Sequence, residues 1–184
     1  MINSNNRITQ LLTQEHETIL QLGQILKKIN GLWKNNEKKF IEIIDFLLHF
    51  CQIYADKIHH LKEEQILFPI MIEQNPMLEQ GAVGEMNDQH EMFREFIIEI
   101  KIAMENKDFE IAYSIFQKYV ELLSDHIQIE NFEVFPMADD LLSSEINEQL
   151  YFKALDVDME YSREKNELTQ KVNQLLKDLN IVIS

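Results

Sequence analysis

An all-α fold, an up-down-up-down antiparallel four-helix bundle with an additional C-terminal helix, is predicted by three features of the sequence. The 184 residues include only 4 Gly and 3 Pro, too few for a turn-rich β protein. Apolar residues make up 45% of the chain, enough for a real core, and disorder is not expected. The apolar residues recur at helical spacing over four long stretches joined by short polar links, the pattern of a bundle.

The first helix is expected from about Arg7 to Asn30, capped near Ser4 or Asn5 and stopped at Gly31. Leu12, Ile19, Leu22, Leu26 and Ile29 form its inner stripe. The second begins near Asn36 and carries Phe40, Ile44, Leu47, Leu48, Cys51, Ala55, Ile58, Ile66 and Leu67, with Pro69 disturbing its end. Residues 75–84 hold Pro76, Gly81 and Gly84 and read as a loop. The third helix runs from about Glu85 to Glu105, with Met86, Phe93, Ile97, Ile100 and Met104 inward, and Asn106 to Asp108 turn into the fourth. That helix carries Ile111, Ile115, Tyr119, Leu122, Leu123 and Ile129 towards Pro136. The bundle is thus expected over residues 1–142 and a C-terminal helical extension over 143–184. Ser143 or Ser144 caps the extension's helix, and Leu168, Val172, Leu175 and Leu179 form a seam spaced four, three, four. The seam is expected to pack on its own bundle, with a homodimer through this helix as the alternative.

The formal charge is -15, from 17 basic and 32 acidic residues. Phosphate is repelled by such a surface, so neither nucleic acid nor a membrane surface is expected as a partner. Solubility is the ordinary role of such a charge. The chain has no apolar run of about 18 residues, so no transmembrane helix is expected. Residues 1–5 are polar and carry no signal-peptide stretch, which makes the cytoplasm the expected location. Cys51 is the only cysteine; it is read as a buried, inert thiol.

One phrase is written twice in the chain. It stands first as His59-His60-Leu61-Lys62-Glu63-Glu64-Gln65-Ile66-Leu67-Phe68-Pro69, then as His126-Ile127-Gln128-Ile129-Glu130-Asn131-Phe132-Glu133-Val134-Phe135-Pro136. In each copy a Glu follows the His by one helical turn, and the two side chains share a face. A His-Glu dipeptide precedes each copy, His16-Glu17 and His90-Glu91. In the antiparallel topology His16, His59, Glu63, His90, His126 and Glu130 all fall in one layer at one end of the bundle. They sit on apolar stripes, where an unpaired charge costs several kcal/mol and a metal removes that cost.

Four imidazoles and two carboxylates exceed one tetrahedral zinc. They suit two six-coordinate ions, each with two His, bridged by Glu63, Glu130 and an oxo or hydroxo group. Iron, zinc and manganese fit these donors better than magnesium or calcium. Coordination is then incomplete and leaves an open position for a small ligand. His60 with Glu64 offers a second register on the second helix. The two registers differ by about 100°, so only one is expected to face the centre. Counting back from the Pro selects His59 and Glu63, leaving His60 and Glu64 as flanking or surface residues. His49 is read as structural. Tyr119 is read as a core residue, with a hydroxyl beside the metals as the sharper alternative. The Met and Phe stripes are read as core.

The ordered combination of His16-Glu17, His59-His60-x-Lys62-Glu63-Glu64-x-x-Leu67-Phe68-Pro69, His90-Glu91-x-x-Arg94 and His126-Ile127-x-x-Glu130, ending in Phe135-Pro136, resembles the hemerythrin-like (HHE) cation-binding domains. The similarity spans about residues 8–140. It implies a four-helix bundle with a non-heme di-iron centre (Fe2+/Fe3+), and the same six residues as iron ligands. Oxygen-carrying members have a His-x3-His pair on the third helix and a terminal Asp. Here Arg94 stands four after His90, and the terminal carboxylate is Glu130. The pattern is closer to bacterial members tied to oxygen, peroxide or nitric oxide. Iron-sulfur repair proteins of that superfamily carry an N-terminal cysteine-bearing domain, which is not expected here.

The function expected is therefore binding or sensing of a small diatomic, O2 or NO, at an open di-iron site. The alternative is a di-iron peroxidase or catalase-like oxidoreductase acting on H2O2 or NO. Iron storage ranks lower, because ferritin-type sites use Glu-x-x-His pairs rich in carboxylate. A helical interaction module with vestigial ligands completes the set.

Overall fold

The computed structural model describes residues 6–180. These residues are almost wholly helical, with no strand among them. Four antiparallel rods form the bundle. The first comprises α1 (Ile8–Ile19) and α2 (Gln21–Lys28). It ends where Gly31 turns the chain with a left-handed φ of 73°, a conformation that favours glycine. The caps expected at Ser4 and Asn5 lie outside the described residues; Arg7 stands before the first turn. A single-turn helix, α3 (Leu32–Asn35), leads to the second rod.

The second rod opens with α4 (Glu37–Phe50), capped by the Asn36 side chain, which accepts from the Lys39 N–H. It then widens into π-helical turns over Cys51–His60 and Glu63–Leu67, and returns to α-helix as α5 (Phe68–Gln74). Pro69 was expected to disturb the rod's end, but the rod runs past it. The π turn breaks the i→i−4 ladder just ahead, and Pro69 falls in the first turn of α5, where its missing N–H costs nothing. The expected loop at 75–84 contains a 3₁₀ turn, Pro76–Gln80. The third rod, α6 (Ala82–Glu105), starts earlier than expected. Gly84 lets it do so, since a Cβ there would lie 2.3 Å from the Glu79 carbonyl oxygen.

The fourth rod repeats the second. It begins as α7 (Phe109–Ile129), takes a π turn at Glu130–Val134 and closes as α8 (Phe135–Leu141), with Pro136 in the first turn. Its inner face is Phe109, Ala112, Tyr113, Phe116, Tyr119 and Leu123. Ile111, one of the apolar residues read along this helix, is 55% exposed because the buried stripe runs through its neighbours. Beyond the bundle a hairpin forms from α9 (Ser144–Glu160) and α10 (Ser162–Asp178), two helices where one was expected. Ser143 caps α9, its Oγ accepting from the Ile146 N–H. Helix α9 lies along α1, while α10 packs on α2 and the π-helical stretch of the second rod. Leu168, Val172 and Leu175 of the seam join the bundle's own core together with Leu176, and Leu179, the seam's last member, packs against it partly buried.

The core has two parts. One gathers around Phe40, Phe50, Phe93 and Phe116, the other around Ile8, Leu12, Phe68 and Phe135. A buried polar layer lies between them. No described helix is long and apolar enough to cross a membrane.

Candidate metal centre

All six residues singled out by the repeated phrase are buried, none more than 1% exposed. His16 comes from α1 and His90 from α6. His59 lies at the end of one π-helical stretch and Glu63 opens the next; His126 lies in the last turn of α7 and Glu130 opens the π turn after it. The two carboxylates stand between two groups of imidazoles. Glu63 places Oε1 3.3 Å from His59 Nε2 and Oε2 3.6 Å from His90 Nε2. Glu130 places Oε2 3.2 Å from His16 Nε2 and Oε1 3.2 Å from His126 Nε2.

His60 joins them. Its exposure is 2% rather than that of a flanking or surface residue, and its ring stacks on His90 with centroids 3.8 Å apart. The reason lies in the helix type. In π turns the i→i+5 bonding puts more residues in each turn, so neighbouring side chains diverge by a smaller angle and both histidines turn inward. Two donor groups result, His16, His59, Glu63 and Glu130 in one and His60, His90 and His126 in the other. The donor atoms of each group lie within 4.8 Å of one another.

Outside this ring the four imidazoles of the phrase are held by oxygen acceptors. His59 Nδ1 bonds Glu15 Oε2 at 2.9 Å and His16 Nδ1 bonds Asn131 Oδ1 at 2.9 Å. His90 Nδ1 bonds Glu64 Oε1 at 2.8 Å and His126 Nδ1 bonds Gln89 Oε1 at 2.8 Å. Each Nδ1 therefore carries the proton in the neutral ring, and each Nε2 turns a lone pair inward. Among the described residues neither oxygen of Glu63 or Glu130, nor His16 Nε2, has a hydrogen-bond partner. His90 Nε2 and His126 Nε2 face each other at 3.1 Å. A buried ring of lone pairs and two carboxylates is electrostatically incomplete without cations.

The titration of these groups expresses the same demand. Burial pushes the His59 imidazole down, but the Glu63 charge beside it and the Glu15 hydrogen bond raise it to about 10. Burial pushes the Glu130 carboxyl up, yet the His126 and His16 imidazoles hold it well below the usual carboxylate range. His60 is driven well below its ordinary value by burial and by the charges of His90, His59 and His126, so it stays neutral.

The donor set thus fits metal ions: imidazoles bonded outward through Nδ1 with Nε2 facing inward, carboxylates with both oxygens unpaired, and a buried position between two apolar clusters. One carboxylate oxygen of each Glu serves either group, an arrangement suited to a pair of ions.

Glu15, Gln89 and Asn131 were missed in the sequence, and Glu64 was read only as a second register or a flanking or surface residue. Glu15 and Gln89 each precede the His of a His-Glu dipeptide, and Glu64 and Asn131 each follow the Glu of the phrase. These are equivalent positions of the repeat, so the repeat itself held the signal. The Glu of each dipeptide is exposed instead: Glu17 faces solvent and Glu91 bonds Arg94. His49 is exposed as well. Tyr119 is buried among Phe93, Phe96 and Phe116 and shares a hydrogen bond with Cys51. Phe93 lies between it and His126. A cavity of about 180 Å³ runs from exposed Gln52 and Ile98 inward past Arg94 and Asp56 to His60 and Tyr119.

Fold and centre together define a metal-binding four-helix bundle. Comparison with known families makes the assignment specific: the family model described as the Hemerythrin HHE cation binding domain matches residues 7–138, and the chain belongs to that family. No curated protein and no solved structure matched the chain in the same comparisons.

Proposed function

We propose that the centre holds two iron ions with a bridging oxo or hydroxo group, and that the protein binds or senses a small diatomic, O2 or NO, there. The observation that carries this is the orientation of Glu63 and Glu130, whose unpaired buried oxygens each address imidazoles of opposite groups. His16, His59, Glu63, His90, His126 and Glu130 would hold the ions, with His60 as a fifth imidazole on the His90–His126 side. Iron in such a set supplies reversible redox binding of a diatomic. The donor count makes the halves unequal: three imidazoles would serve one ion and two the other, so an open position would fall on the His16–His59 side.

The chain's own residues prepare that position. Glu15 and Asn131 fix the rings of His59 and His16. Phe135 stacks on His16, with centroids 5.5 Å apart, and the flanking apolar clusters exclude water. The test is anaerobic iron reconstitution followed by exposure to air. Two irons per chain and an oxo-to-iron charge-transfer band are expected. Less than one iron per chain and no such band would overturn the proposal.

A second reading, a di-iron oxidoreductase consuming H2O2 or NO, draws on the cavity that reaches His60. It predicts peroxide loss in stopped flow faster than an equal concentration of free iron gives, and it fails if the rates match.

A further inference from the structure

The family match ends at residue 138, yet the hairpin beyond it reaches the surroundings of the centre. Lys62 is wholly buried, three residues after His59. Its ammonium bonds Glu15 Oε1 and, from α9, Asp158 Oδ1. Lys165, from α10, bonds the same two oxygens, reaching Asp158 Oδ1 at 2.7 Å. Two ammonium groups and two carboxylates close a neutral square, which satisfies charges that burial would otherwise penalise. The remaining oxygen of Glu15 accepts the proton of His59 Nδ1. On the opposite half, the carboxylate on His90 Nδ1 is Glu64, and it is held by Arg94, which also bonds Asp56. Glu64, Arg94 and Asp56 all belong to rods two and three, and no described hydrogen bond joins the hairpin to that set.

We propose that Asp158 and Lys165 are positioning residues for the metal centre. The hairpin fixes Lys62 and Glu15, Glu15 fixes the His59 ring, and the C-terminal extension thereby sets metal affinity on the His16–His59 side alone. This rests on the two-ion reading above. Without Asp158 and Lys165, Oε1 of Glu15 keeps only Lys62, whose ammonium has itself lost its second carboxylate, and the Glu15 carboxylate is freer to turn away from His59. Orienting partners of a ligand imidazole typically carry about 10–100-fold in metal affinity.

The test is a Co2+ titration of the metal-free full-length protein, read by visible absorption and calorimetry. The unaltered chain is expected to take up two equivalents. Lys165→Met and Asp158→Asn should each weaken one equivalent about tenfold or more and leave the other unchanged, while Lys165→Arg restores the first. Val172→Ala, a packing change on the same helix, should lower the melting temperature without altering either equivalent. The inference is overturned if Lys165→Met weakens both equivalents alike or neither, or if Val172→Ala reproduces its effect. Proton NMR of the metal-free protein gives a second readout. The downfield His59 Nδ1–H resonance should persist in Lys165→Arg and be lost or shifted upfield in Lys165→Met and Asp158→Asn. A resonance unchanged in both sinks the positioning role. If the unaltered chain binds no Co2+, the two-ion reading falls, and the NMR result still decides whether the hairpin orients His59.

Discussion

Rods two and four carry the same phrase and fold alike, each with a π turn opening at its Glu and an α-helix resuming at Phe-Pro. They do not make equivalent halves of the centre. His60 in rod two corresponds to Ile127 in rod four, Lys62 to Ile129 and Glu64 to Asn131. The shared positions build a near-twofold frame in which each Glu addresses imidazoles from both copies. The unshared positions break it. One half gains a third imidazole and a carboxylate on His90, while the other gains the Lys62 square and an amide on His16. The lesson is that a repeat supplies the geometry of a paired site, and its mismatches supply the difference between the two halves.

The frame is tested most severely at its shared members. Glu130→Gln keeps the shape and removes the charge that faces both His16 and His126. Both ions should be lost, with an affinity change exceeding the roughly 10–100-fold typical of an outer partner, read as metal content after reconstitution and desalting. Retention of two ions would mean that Glu130 does not span the halves. Next comes His60→Ile, which gives rod two the residue that rod four has. It should weaken only the equivalent on the His90–His126 side, about tenfold or more. Unchanged affinity of both equivalents would remove His60 from the ligand set and restore a symmetrical pair.

How far this asymmetry could be read from the chain depends on the residue. The bundle, the order of its rods and the six-residue layer followed from helical spacing and the duplicated His-x3-Glu. The inward turn of His60 did not, because the argument against it assumed the regular α-helical step of about 100°, and Cys51–His60 is π-helical. Pro69 was misread for a related reason: the π turn ahead of it, repeated ahead of Pro136, removes the need for its N–H. Ile111 shows a different limit. The fourth rod is apolar at Ile111, Ile115 and Leu122 as well as at Phe109, Ala112 and Phe116, and packing against α6 chose the second stripe. The reach of Asp158 and Lys165 to Glu15 spans about the whole chain and leaves no local pattern.

Smaller effects are expected from the outer partners. Glu64→Gln exchanges a carboxylate on His90 Nδ1 for the amide type found on His16, and it also loosens Arg94. Asn131→Ala deletes the amide on His16. Each should cost at most the about 10–100-fold of an outer partner, on opposite halves, with Glu64→Gln the larger because a charged acceptor bonds more strongly. Co2+ titration resolves the two equivalents. A loss on the same half from both changes would break the assignment of halves.

The comparison of rods two and four extends past the polar layer to Cys51 and Tyr119, which pair across the core although their counterparts in the repeat are Lys118 and Gln52. Burial pushes the Cys51 thiol up from 9.0 to about 12, against the Tyr119 hydrogen bond, and pushes the Tyr119 phenol well above its usual value. Both groups are acids kept neutral by folding. Above pH 9 the unfolded chain releases the Cys51 proton while the folded chain keeps it, so the unfolded state binds fewer protons and stability falls as pH rises. The contribution is whole below pH 9 and gone by about pH 12. Cys51→Ala should therefore flatten the alkaline decline of stability in urea melts, at a cost near neutral pH of about 1 kcal/mol from lost packing. Metal uptake should not change, since Phe93 packs against both Tyr119 and His126 and no described hydrogen bond joins Cys51 or Tyr119 to an imidazole. An alkaline decline of the same slope in Cys51→Ala would show that the thiol is not held neutral by the fold, and altered Co2+ affinity would place the pair within the centre rather than above it.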